Sequence, residues 1–414
     1  MKNVFASCLS ALILAGIFPQ LAGVPLRAAV AEPPSGSPPV SVTPSAAGLP
    51  AAAAASSASV KPTPAEVLSI MEKAANWQLA HPASDAKDGW IQSAFYAGAM
   101  ALGRESLSDK YFQAMLDMAA KNNWKQGSRQ YHADDQAVGQ TYLELYEIYQ
   151  KPEMIVAVRA RFDSVMASPK DDDLNFSKAG ASDKWSWCDA LFMDPPAWAR
   201  LAKITGDKKY LDFANRLWWV TSDYLYDKTE HLYFRDSTYF TQKEPNGQKL
   251  FWSRGNGWVM GGLVRMLQYM PLDYPDRPKY VAQFKEMAEK LKSIQQSDGL
   301  WRPGLLDPVA HPEKETSGTG FDTYAMAWGI NEGILDRATY EPVVLRAWNA
   351  LVQCVGADGK VGNVQPVGAA PKAFDASSTT PYGVGAFLLA GSEVYKLVGG
   401  KVPEKSTVPK APGA

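Results

Sequence analysis

The stretch WCDALFMDPPAWARLA at residues 187–202, with GDKKYLDFANRLWW at residues 206–219 just after it, decides the fold class. The first segment is rich in Ala and aromatic residues and is apolar on nearly every face, which is typical of a helix buried on both sides. The second segment has a charged face opposite its apolar face, which is typical of a helix in a solvated outer layer. Together the two segments predict a pair of packed helices, one inner and one outer.

This pairing repeats along the chain. Further inner-type segments lie at residues 90–102, 134–149, 255–270, 323–335 and 382–395, and further outer-type segments lie at 108–121, 152–166, 276–291 and 338–351, after a first helix that begins at Thr63-Pro64-Ala65-Glu66. The starts of the inner helices are roughly 45 to 70 residues apart, as in a helix-pair repeat with variable loops. Six inner helices alternating with six amphipathic ones predict an all-α fold, an (α/α)6 six-hairpin barrel or double-layered α/α toroid. An extended solenoid of helix pairs is the alternative, and the lack of strand alternation argues against a parallel α/β sheet.

Changes in composition mark the ends of the folded block. Residues 1–31 are predicted to be a signal peptide, and residues 32–62 a flexible linker rich in Pro, Ala and Ser. Residues 399–414 (GGKVPEKSTVPKAPGA) lack the apolar residues that a core requires and are predicted to be a disordered tail. The (α/α)6 catalytic domain is therefore expected to span residues 63–398.

The first 31 residues have the parts of an export signal. Lys2 supplies the positive start, an apolar run extends from Val4 to Phe18, and Ala29-Val30-Ala31 gives the small-x-small pattern of a cleavage site. The apolar run is short for a membrane span, which favours cleavage over an uncleaved anchor. We therefore expect a periplasmic or extracellular protein with no membrane span after signal removal.

The charge balance excludes one class of partner. The chain has 42 Lys and Arg against 43 Asp and Glu, a net charge of −1, whereas nucleic-acid binding needs a surplus of basic residues.

The chain has 13 Trp, 18 Tyr and 15 Phe, which permit stacking on sugar rings, although many of them are expected in the core. Motifs for metal or nucleotide binding are missing, so no metal or cofactor is expected. Cys188 and Cys354 lie in helical patterns and are expected to be buried free thiols. The protein is expected to be a monomer or a weak oligomer.

Unusual polar and aromatic residues collect at the N-terminal ends of the inner helices. They are Tyr131, His132, Asp134, Asp135, Trp185, Trp187, Asp189, Arg254, Asn256, Trp258, Thr316, Ser317, Thr319 and Asp322. In a toroid these ends converge on one mouth, where helix N-termini favour an anionic ligand. On its own, Trp258 is as consistent with a core position as with a sugar platform. His231, in the polar turn YDKTEHLYF at residues 226–234, is a lone histidine that carries little weight by itself.

Asp189 is the candidate for acid chemistry. It follows Trp-Ser-Trp-Cys and precedes Ala-Leu-Phe-Met. A carboxyl group among such apolar neighbours is either paired or has the raised pKa that a general acid needs, and a simple capping Asp is the alternative. One of Asp134 and Asp135 is expected to be an N-cap. Arg254, beside a glycine, is expected either to clamp backbone carbonyls or to bind a substrate carboxylate.

Four longer motifs resemble those of a known family. They are WCDALFMDPPAWARLAKITGD (187–207), FWSRGNGWVMGGLVRML (251–267), ETSGTGFDTYAMAWGINEGIL (315–335) and YGVGAFLLAGSEVYK (382–396). Together they are similar to the unsaturated glycuronyl hydrolases. The nearer resemblance is to glycoside hydrolase family 105, the unsaturated rhamnogalacturonyl hydrolases, with the family 88 unsaturated glucuronyl hydrolases as relatives. The resemblance covers about residues 64–398 and implies the same (α/α)6 barrel.

The resemblance also implies a reaction. Such enzymes hydrate the 4,5-double bond of the unsaturated uronic acid that polysaccharide lyases leave at the non-reducing end of a fragment. An acid protonates C4, water adds at C5, and the resulting hemiketal opens and expels the aglycone. The motif match implies Asp189 as this acid and either Asp134 or Asp135 as a second aspartate. The expected substrate-binding residues are His231, Arg254 and Trp258 by the motif match, and Trp185 at the mouth.

Several alternatives stay open at this point. Asp322 departs from the family pattern, where an apolar or aromatic residue is more usual, and we expect it either to cap its helix or to alter the pocket. Rhamnose of pectic rhamnogalacturonan leads as the aglycone, ahead of sulfated rhamnose and glycosaminoglycan sugars. The competing functions are a toroidal glycosidase that cleaves saturated sugars with two carboxylates, and a secreted oligosaccharide-binding protein.

Overall fold

A computed structural model describes residues 61–403 of the chain. The predicted signal peptide lies outside the described residues, as do residues 32–60 of the predicted linker and residues 404–414 of the predicted tail. Across residues 61–403, no helical segment combines the length and the apolar character that a membrane span requires. Cys188 and Cys354 are buried free thiols, which confirms the prediction.

Helices make up almost all of the regular structure between residues 61 and 403. They are α1 (Pro64–Ala80), α2 (Trp90–Glu105), α3 (Lys110–Lys121), α4 (Ala133–Gln136), α5 (Gly139–Tyr149), α6 (Glu153–Ala167), α7 (Ala190–Met193), α8 (Pro195–Thr205), α9 (Lys209–Leu225), α10 (Ser253–Leu267), α11 (Arg277–Ile294), α12 (Thr316–Asn331), α13 (Arg337–Gln353) and α14 (Pro381–Leu397). Short 3₁₀ helices lie at Ala181–Asp183 and Ser237–Tyr239. The strands β1 (Tyr226–Asp227) and β2 (Leu232–Tyr233) form one antiparallel hairpin.

The helices form two concentric layers. The inner layer is a ring of α2, α5, α8, α10, α12 and α14, in which each helix packs against the next and α14 packs against α2. The outer helices α1, α3, α6, α9, α11 and α13 alternate with them along the chain. All of α10 is buried, whereas α11 buries one stripe and leaves its charged face to solvent. The closed ring confirms the predicted (α/α)6 toroid and excludes the open solenoid.

Glycines allow the inner helices to approach one another closely. A Cβ atom at Gly385 of α14 would lie 2.1 Å from the carbonyl oxygen of Ala94 in α2. A Cβ atom at Gly98 of α2 would lie 2.7 Å from the carbonyl oxygen of Gly385. Both distances are shorter than a carbon–oxygen contact allows, so any side chain here would push the two helices apart. Glycine at these two positions of the predicted inner helices therefore allows the close packing of α2 and α14.

The predicted inner helix at residues 187–202 is divided in two by adjacent prolines. Pro195-Pro196 has no backbone N–H to donate, so α7 ends at Met193 and α8 begins afresh at Pro195. The carbonyls of Phe192 and Met193 accept hydrogen bonds from Nε2 of Gln140 instead, at 2.7 and 3.1 Å. Asp189 consequently lies at the start of a very short helix. The predicted helix at residues 134–149 is likewise divided, into α4 and α5.

The β-hairpin reaches from the outer helix α9 to the inner helix α10. Oδ1 of Asn256, in the first turn of α10, accepts a hydrogen bond from the backbone N–H of Tyr233 at 2.8 Å, and its Nδ2 donates to the Tyr233 carbonyl at 3.1 Å. Just beyond the hairpin, the backbone N–H of Cys188 donates to the carbonyl of Arg235 at 2.8 Å. These contacts hold the chain that follows β2 beside the start of α7.

Opposite charges are buried together between the inner helices, from the middle of α5 and α8 to the last turn of α10. Glu144 of α5 accepts a hydrogen bond from Arg265 Nη2 at 2.6 Å, and its Oε1 lies 3.2 Å from Nη1 of Arg200. The guanidinium of Arg200 also lies over the ring of Tyr269, 4.1 Å from its centroid. We call Glu144, Arg200 and Arg265 the base network. It ties together α5, α8 and α10 at the end of the barrel that lies opposite the predicted mouth.

Candidate active site

Two carboxyl groups meet at the N-terminal mouth of the toroid. Asp189 immediately precedes α7 and Asp134 lies in the first turn of α4, and these two helices pack against each other. His132 is the N-cap residue of α4, and its ring centroid lies 5.2 Å from that of Trp187. The packing of α4 on α7 therefore joins two segments that are distant in sequence into one site.

The carboxyl group of Asp189 is largely removed from water. Its side chain is 13% exposed, and its Oδ2 lies 3.6 Å from Nε of Arg235 and 3.6 Å from Sγ of Cys188. Burial raises the pKa of Asp189, while the positive charges of Arg235 and Arg254 act in the opposite direction. Asp189 can therefore hold a proton above the usual pH range of an Asp side chain, as a general acid must.

Asp134 supplies the second carboxyl group of the site. Its side chain is 19% exposed, and its Oδ2 lies 3.8 Å from Nδ1 of His132. Burial, followed by the negative charge of Asp189, raises the pKa of Asp134 to about 7. His132 is neutral at that pH because burial lowers its pKa to about 4. The charge of Asp189 thus helps Asp134 to retain its proton near neutral pH, which couples the two carboxyl groups electrostatically.

Asp135, the direct neighbour of Asp134, serves a different purpose. Its Oδ1 accepts hydrogen bonds from Nε and Nη2 of Arg129 at 3.0 and 2.5 Å, and its Oδ2 accepts from the Arg129 backbone N–H at 2.7 Å. A Cβ atom at Gly127 would lie 2.5 Å from Cγ of Asp135, so the loop wraps tightly around this carboxylate. Of the two adjacent aspartates, Asp134 is thus coupled to Asp189 and Asp135 holds a loop.

Arg235 is the charged residue of this site that sequence reasoning missed. Its Nη1 donates to Oδ2 of Asp236 at 2.6 Å, and Oδ1 of Asp236 accepts from the backbone N–H and the hydroxyl of Thr238. The ring of Phe176 packs against the guanidinium, with its centroid 4.7 Å from Cζ. The pattern Asp-Ser-Thr just after Arg235 is a local capping signal that indicated an ordered loop here. Nothing in that pattern indicated that the loop would lie beside Asp189.

His231 lies away from the carboxyl pair. It occupies the turn of the hairpin at a φ of 54°, and its Nδ1 lies 3.1 Å from the hydroxyl oxygen of Tyr226 and 3.5 Å from Oε2 of Glu286 on α11. These three residues line an outer cavity of about 450 Å³. The structure therefore places His231 against an outer helix, contrary to the expectation that it contacts substrate beside Asp189.

Arg254 clamps a loop and does not face the mouth. Its side chain is completely buried, and its Nη1 and Nη2 donate to the carbonyls of Gln365 and Pro366 at 2.7 and 3.0 Å. Its guanidinium lies between the rings of Trp252 and Tyr382, with Cζ 4.4 and 4.7 Å from their centroids. Of the two roles that the sequence left open, the carbonyl clamp is the one that the structure contains. Direct contact with a substrate carboxylate is not compatible with this burial.

The two tryptophans expected to bind substrate are core residues in the structure. Trp258 is completely buried, with its ring centroid 4.4 Å from that of Phe321 and 4.9 Å from that of Phe192. Trp185 is 5% exposed and donates its Nε1 hydrogen to Oδ2 of Asp194 at 3.1 Å. Neither ring has an open face on which a sugar could stack, because both fill space between helices.

Trp90 is a better-placed aromatic residue that the sequence did not single out. As the first residue of α2 it is half-buried, and its ring stacks on Tyr382 with centroids 5.3 Å apart. Together with Asp88 and Arg129 it lines a cavity of about 430 Å³ beside Asp135.

A larger cavity of about 580 Å³ lies at the base network. We place the active site at the mouth despite this larger cavity, because the coupled carboxyl pair is there.

Asp322 neither caps a helix nor reaches the mouth. The N-cap of α12 is Glu315, whose carboxylate accepts hydrogen bonds from the backbone N–H groups of Ser317 and Gly318. Asp322 is completely buried, and neither of its carboxyl oxygens has a hydrogen-bond partner among residues 61–403. Burial raises its pKa well above the usual value, and the charge of Glu315 adds to this. Of the two roles expected for Asp322, helix capping is therefore wrong.

A coupled pair of carboxyl groups at the mouth of an α/α toroid is the arrangement of a glycoside hydrolase that works by acid–base chemistry. The described residues contain no group of three or more His, Cys, Asp or Glu side chains placed to hold a metal ion. A family model described as Glycosyl Hydrolase Family 88 matches residues 58–398, and the chain belongs to this family. The resemblance found in the sequence and the predicted enzyme class are confirmed.

Individual relatives agree with this assignment. The chain is 41% identical over 343 residues to an unsaturated 3S-rhamnoglycuronyl hydrolase of Formosa agariphila, covering 80% of this chain and 91% of the relative. It is 38% identical to a protein of the same name from an Alteromonas species, covering 78% and 84%. The solved structure of a family 88 glycosyl hydrolase from Bacteroides vulgatus is 31% identical, with a TM-score of 0.75 over 81% of this chain and 100% of that one. A solved structure described as a possible family 105 member, from Salmonella enterica, shares the fold at 16% identity and a TM-score of 0.69 over 81% of this chain and 95% of that one.

Proposed function

We propose that this glycoside hydrolase removes a 4,5-unsaturated uronic acid from the non-reducing end of lyase-generated oligosaccharides by hydrating its C4=C5 double bond. The observation that carries the proposal is the coupled pair of Asp189 and Asp134. Hydration needs one group that can give a proton to carbon and then accept one from water, and burial raises the pKa of both carboxyl groups, so that they can hold a proton at a higher pH than an ordinary Asp side chain.

In the proposed reaction Asp189 acts first as the acid. Its O–H bond breaks, the proton forms a C4–H bond with the π electrons of the alkene, and positive charge develops at C5 beside the ring oxygen. The oxygen of a water molecule then bonds to C5, and the proton lost by this water returns to the Asp189 carboxylate, with Asp134 beside it. The resulting hemiketal opens and releases the aglycone, so that one water is consumed in each turnover.

Rhamnose is the aglycone that we propose. The relatives from Formosa agariphila and the Alteromonas species are both named unsaturated 3S-rhamnoglycuronyl hydrolases, which supports a rhamnose unit next to the unsaturated uronic acid. We take 3S to mean a 3-sulfated rhamnose, and therefore place sulfated rhamnose ahead of the pectic rhamnose that leads from sequence alone. The half-buried Trp90 at the mouth is the proposed platform for one of these sugars.

The test follows the ultraviolet absorbance of the conjugated alkene. Purified protein is mixed with lyase-treated sulfated rhamnoglycuronan, with lyase-treated rhamnogalacturonan, and with acid-hydrolysed fragments that carry no alkene. We expect the absorbance to fall on lyase fragments, fastest with sulfated rhamnose, and no release of sugars from the saturated ones. Release from the saturated fragments would favour a two-carboxylate glycosidase instead, and binding without turnover of any fragment would favour a carbohydrate-binding protein.

We also propose that the protein is exported and acts as a monomer or weak oligomer. The support is the N-terminal pattern of Lys2, an apolar run and Ala29-Val30-Ala31. Expression of the full chain in a bacterial host, followed by fractionation and mass measurement of the product, checks cleavage after residue 31. Recovery of the uncleaved chain in the membrane fraction would contradict the proposal. Light scattering of the purified product gives the oligomeric state.

A further inference from the structure

Arg235 is held firmly but keeps hydrogen-bonding capacity in reserve. Its Nη1 is tied to Asp236, and its guanidinium rests on the ring of Phe176. Its Nε atom is buried and has no hydrogen-bond partner in the described part of the chain, and it lies 3.6 Å from Oδ2 of Asp189. This distance is longer than a normal N–H···O hydrogen bond. The guanidinium is therefore close enough to Asp189 for an electrostatic interaction, but it does not donate a hydrogen bond to this carboxyl group.

The other arginines near the mouth are already committed. Arg254 is completely buried and gives both Nη atoms to backbone carbonyls. Arg129 gives Nε and Nη2 to the carboxylate of Asp135. The side chain of Arg235 is 16% exposed beside the carboxyl pair and is hydrogen-bonded through Nη1. It is the arginine best placed to meet an anionic group that enters next to Asp189.

We propose that Arg235 binds the carboxylate of the incoming uronic acid. The positive charge of Arg235 is then shared between the substrate and Asp189, which weakens the stabilisation of the ionised Asp189. Asp189 therefore takes up the proton that it donates to C4. The inference rests on the proposed function, because it concerns the same substrate and the same acid. It assigns to Arg235 the carboxylate contact that the sequence offered as one possibility for Arg254.

The charges around Asp189 explain why substrate binding would load it with a proton. Arg235 and Arg254 favour its ionised form, whereas burial and the neighbouring Asp134 favour the protonated form, and Cys188 is a buried neutral thiol. An anionic carboxylate bound at Arg235 adds one negative charge to this balance without removing any other group. Asp189 then gains a proton from solvent, and the proton balance of the later hydration step is unchanged.

The experiment compares the acid form of the substrate with its methyl ester in wild type and in Arg235→Gln. Esterification removes the charge of the uronic acid but keeps the alkene. If Arg235 holds the carboxylate, esterification should lower kcat/KM of the wild type on the order of 10- to 100-fold, since a hydrogen bond to a charged group is lost. In Arg235→Gln the acid form should lose a similar factor, and esterification should cost little more. Arg235→Lys should retain part of the discrimination, because it keeps the charge without the planar fork.

A second readout separates a binding role from a purely structural one. Removal of the cation beside Asp189 should move the alkaline limb of the kcat/KM profile of Arg235→Gln to higher pH, because the free enzyme then holds its proton more tightly. Arg346→Gln, at an exposed arginine of the outer helix α13, is the matched control and should change neither the discrimination nor the profile.

The outcomes keep this inference apart from the proposed function. Equal use of acid and ester by the wild type, or an undiminished cost of esterification in Arg235→Gln, would overturn the role of Arg235 while alkene hydration stands. Failure of the wild type to consume any unsaturated oligosaccharide would overturn the proposed function itself. Should Arg235→Gln fail to fold, the wild-type comparison and Arg235→Lys still decide the question.

Discussion

The two ends of the inner barrel both bury charged side chains, but they satisfy them to different degrees. At the base, Glu144 lies 2.6 Å from Arg265 and 3.2 Å from Arg200, so one carboxylate is shared by two buried cations. At the mouth, Asp189 has its cation at 3.6 Å, and Asp134 has a neutral histidine at 3.8 Å while the charges of Arg129 and Arg235 act on it without an ion pair within 4.0 Å among the described residues. The base network is therefore a set of completed ion pairs, whereas the mouth is a set of incomplete ones.

This difference indicates what each end contributes. Completed pairs favour fully ionised groups, which are inert in proton transfer but costly to disrupt. Incomplete pairs leave carboxyl groups with raised pKa values, which costs stability at neutral pH but allows a proton to be held and released. On this basis, substitutions at the mouth should mainly change activity, and substitutions at the base should mainly change stability.

The largest effect is expected from Asp189→Asn. We expect a loss of turnover between about 10²- and 10⁴-fold, because the acid that protonates C4 is gone. The fold should persist, since Asn fits the same space and the lost carboxyl group was only weakly paired. Alkene absorbance measures the activity, and thermal unfolding measures the stability. An equal loss of stability and activity would contradict the proposed division between mouth and base.

The base network should show the opposite behaviour. Glu144→Ala leaves two buried arginines without their shared carboxylate, and we expect the free energy of unfolding to fall by about 3–5 kcal/mol. Glu147→Ala is the matched control, because Glu147 is 24% exposed in its side chain and contacts Arg200 alone in this network, and it should cost about 1 kcal/mol or less. Denaturant titration gives both values. The kcat per folded molecule should stay near wild type, and a large drop would show that the two ends are coupled.

The pH profile sharpens the comparison at the mouth. Because the pKa of Asp134 is about 7 and the pair must hold one proton to act, kcat/KM should fall about tenfold per unit of pH above that value. Asp134→Asn removes the like charge beside Asp189, so the alkaline limb should move to lower pH. Glu286→Gln, in the outer cavity beside His231, is the control and should leave the limb in place. A limb unaffected by Asp134→Asn would remove Asp134 from the pair.

The smallest effect concerns Asp322, a buried carboxyl group that belongs to neither end. Its pKa is higher in the folded than in the unfolded chain, so the folded state binds more protons once the pH exceeds the unfolded pKa of about 3.9. Its contribution to stability is therefore lost as the pH rises through the range between the two pKa values. Asp322→Asn should stabilise the protein at pH 8 relative to wild type by at least about 1 kcal/mol, with little effect near pH 4. Denaturant titrations at both pH values check this, and a destabilised variant at pH 8 would point to an unrecognised partner.

Much of the architecture was readable from the sequence because it depends on local patterns. The apolar faces of the segments at residues 187–202 and 206–219 distinguish inner from outer helices without knowledge of their neighbours. The division at Pro195-Pro196 was not predicted, although the missing N–H that causes it is a property of the residue itself. Asp189 stood out as a carboxyl group within an apolar run.

The sequence by itself thus determined the six helix pairs, the closed toroid as their best arrangement, and Asp189 as a candidate acid. Only the tertiary structure decided that Asp134 is coupled to Asp189, that Arg235 and not His231 lies beside it, and that Arg254 clamps a loop more than 100 residues away. The physical reason is the range of the interactions. Helix formation follows from periodicity over a few turns, whereas the pairing and pKa of a side chain follow from groups that folding brings together from distant segments.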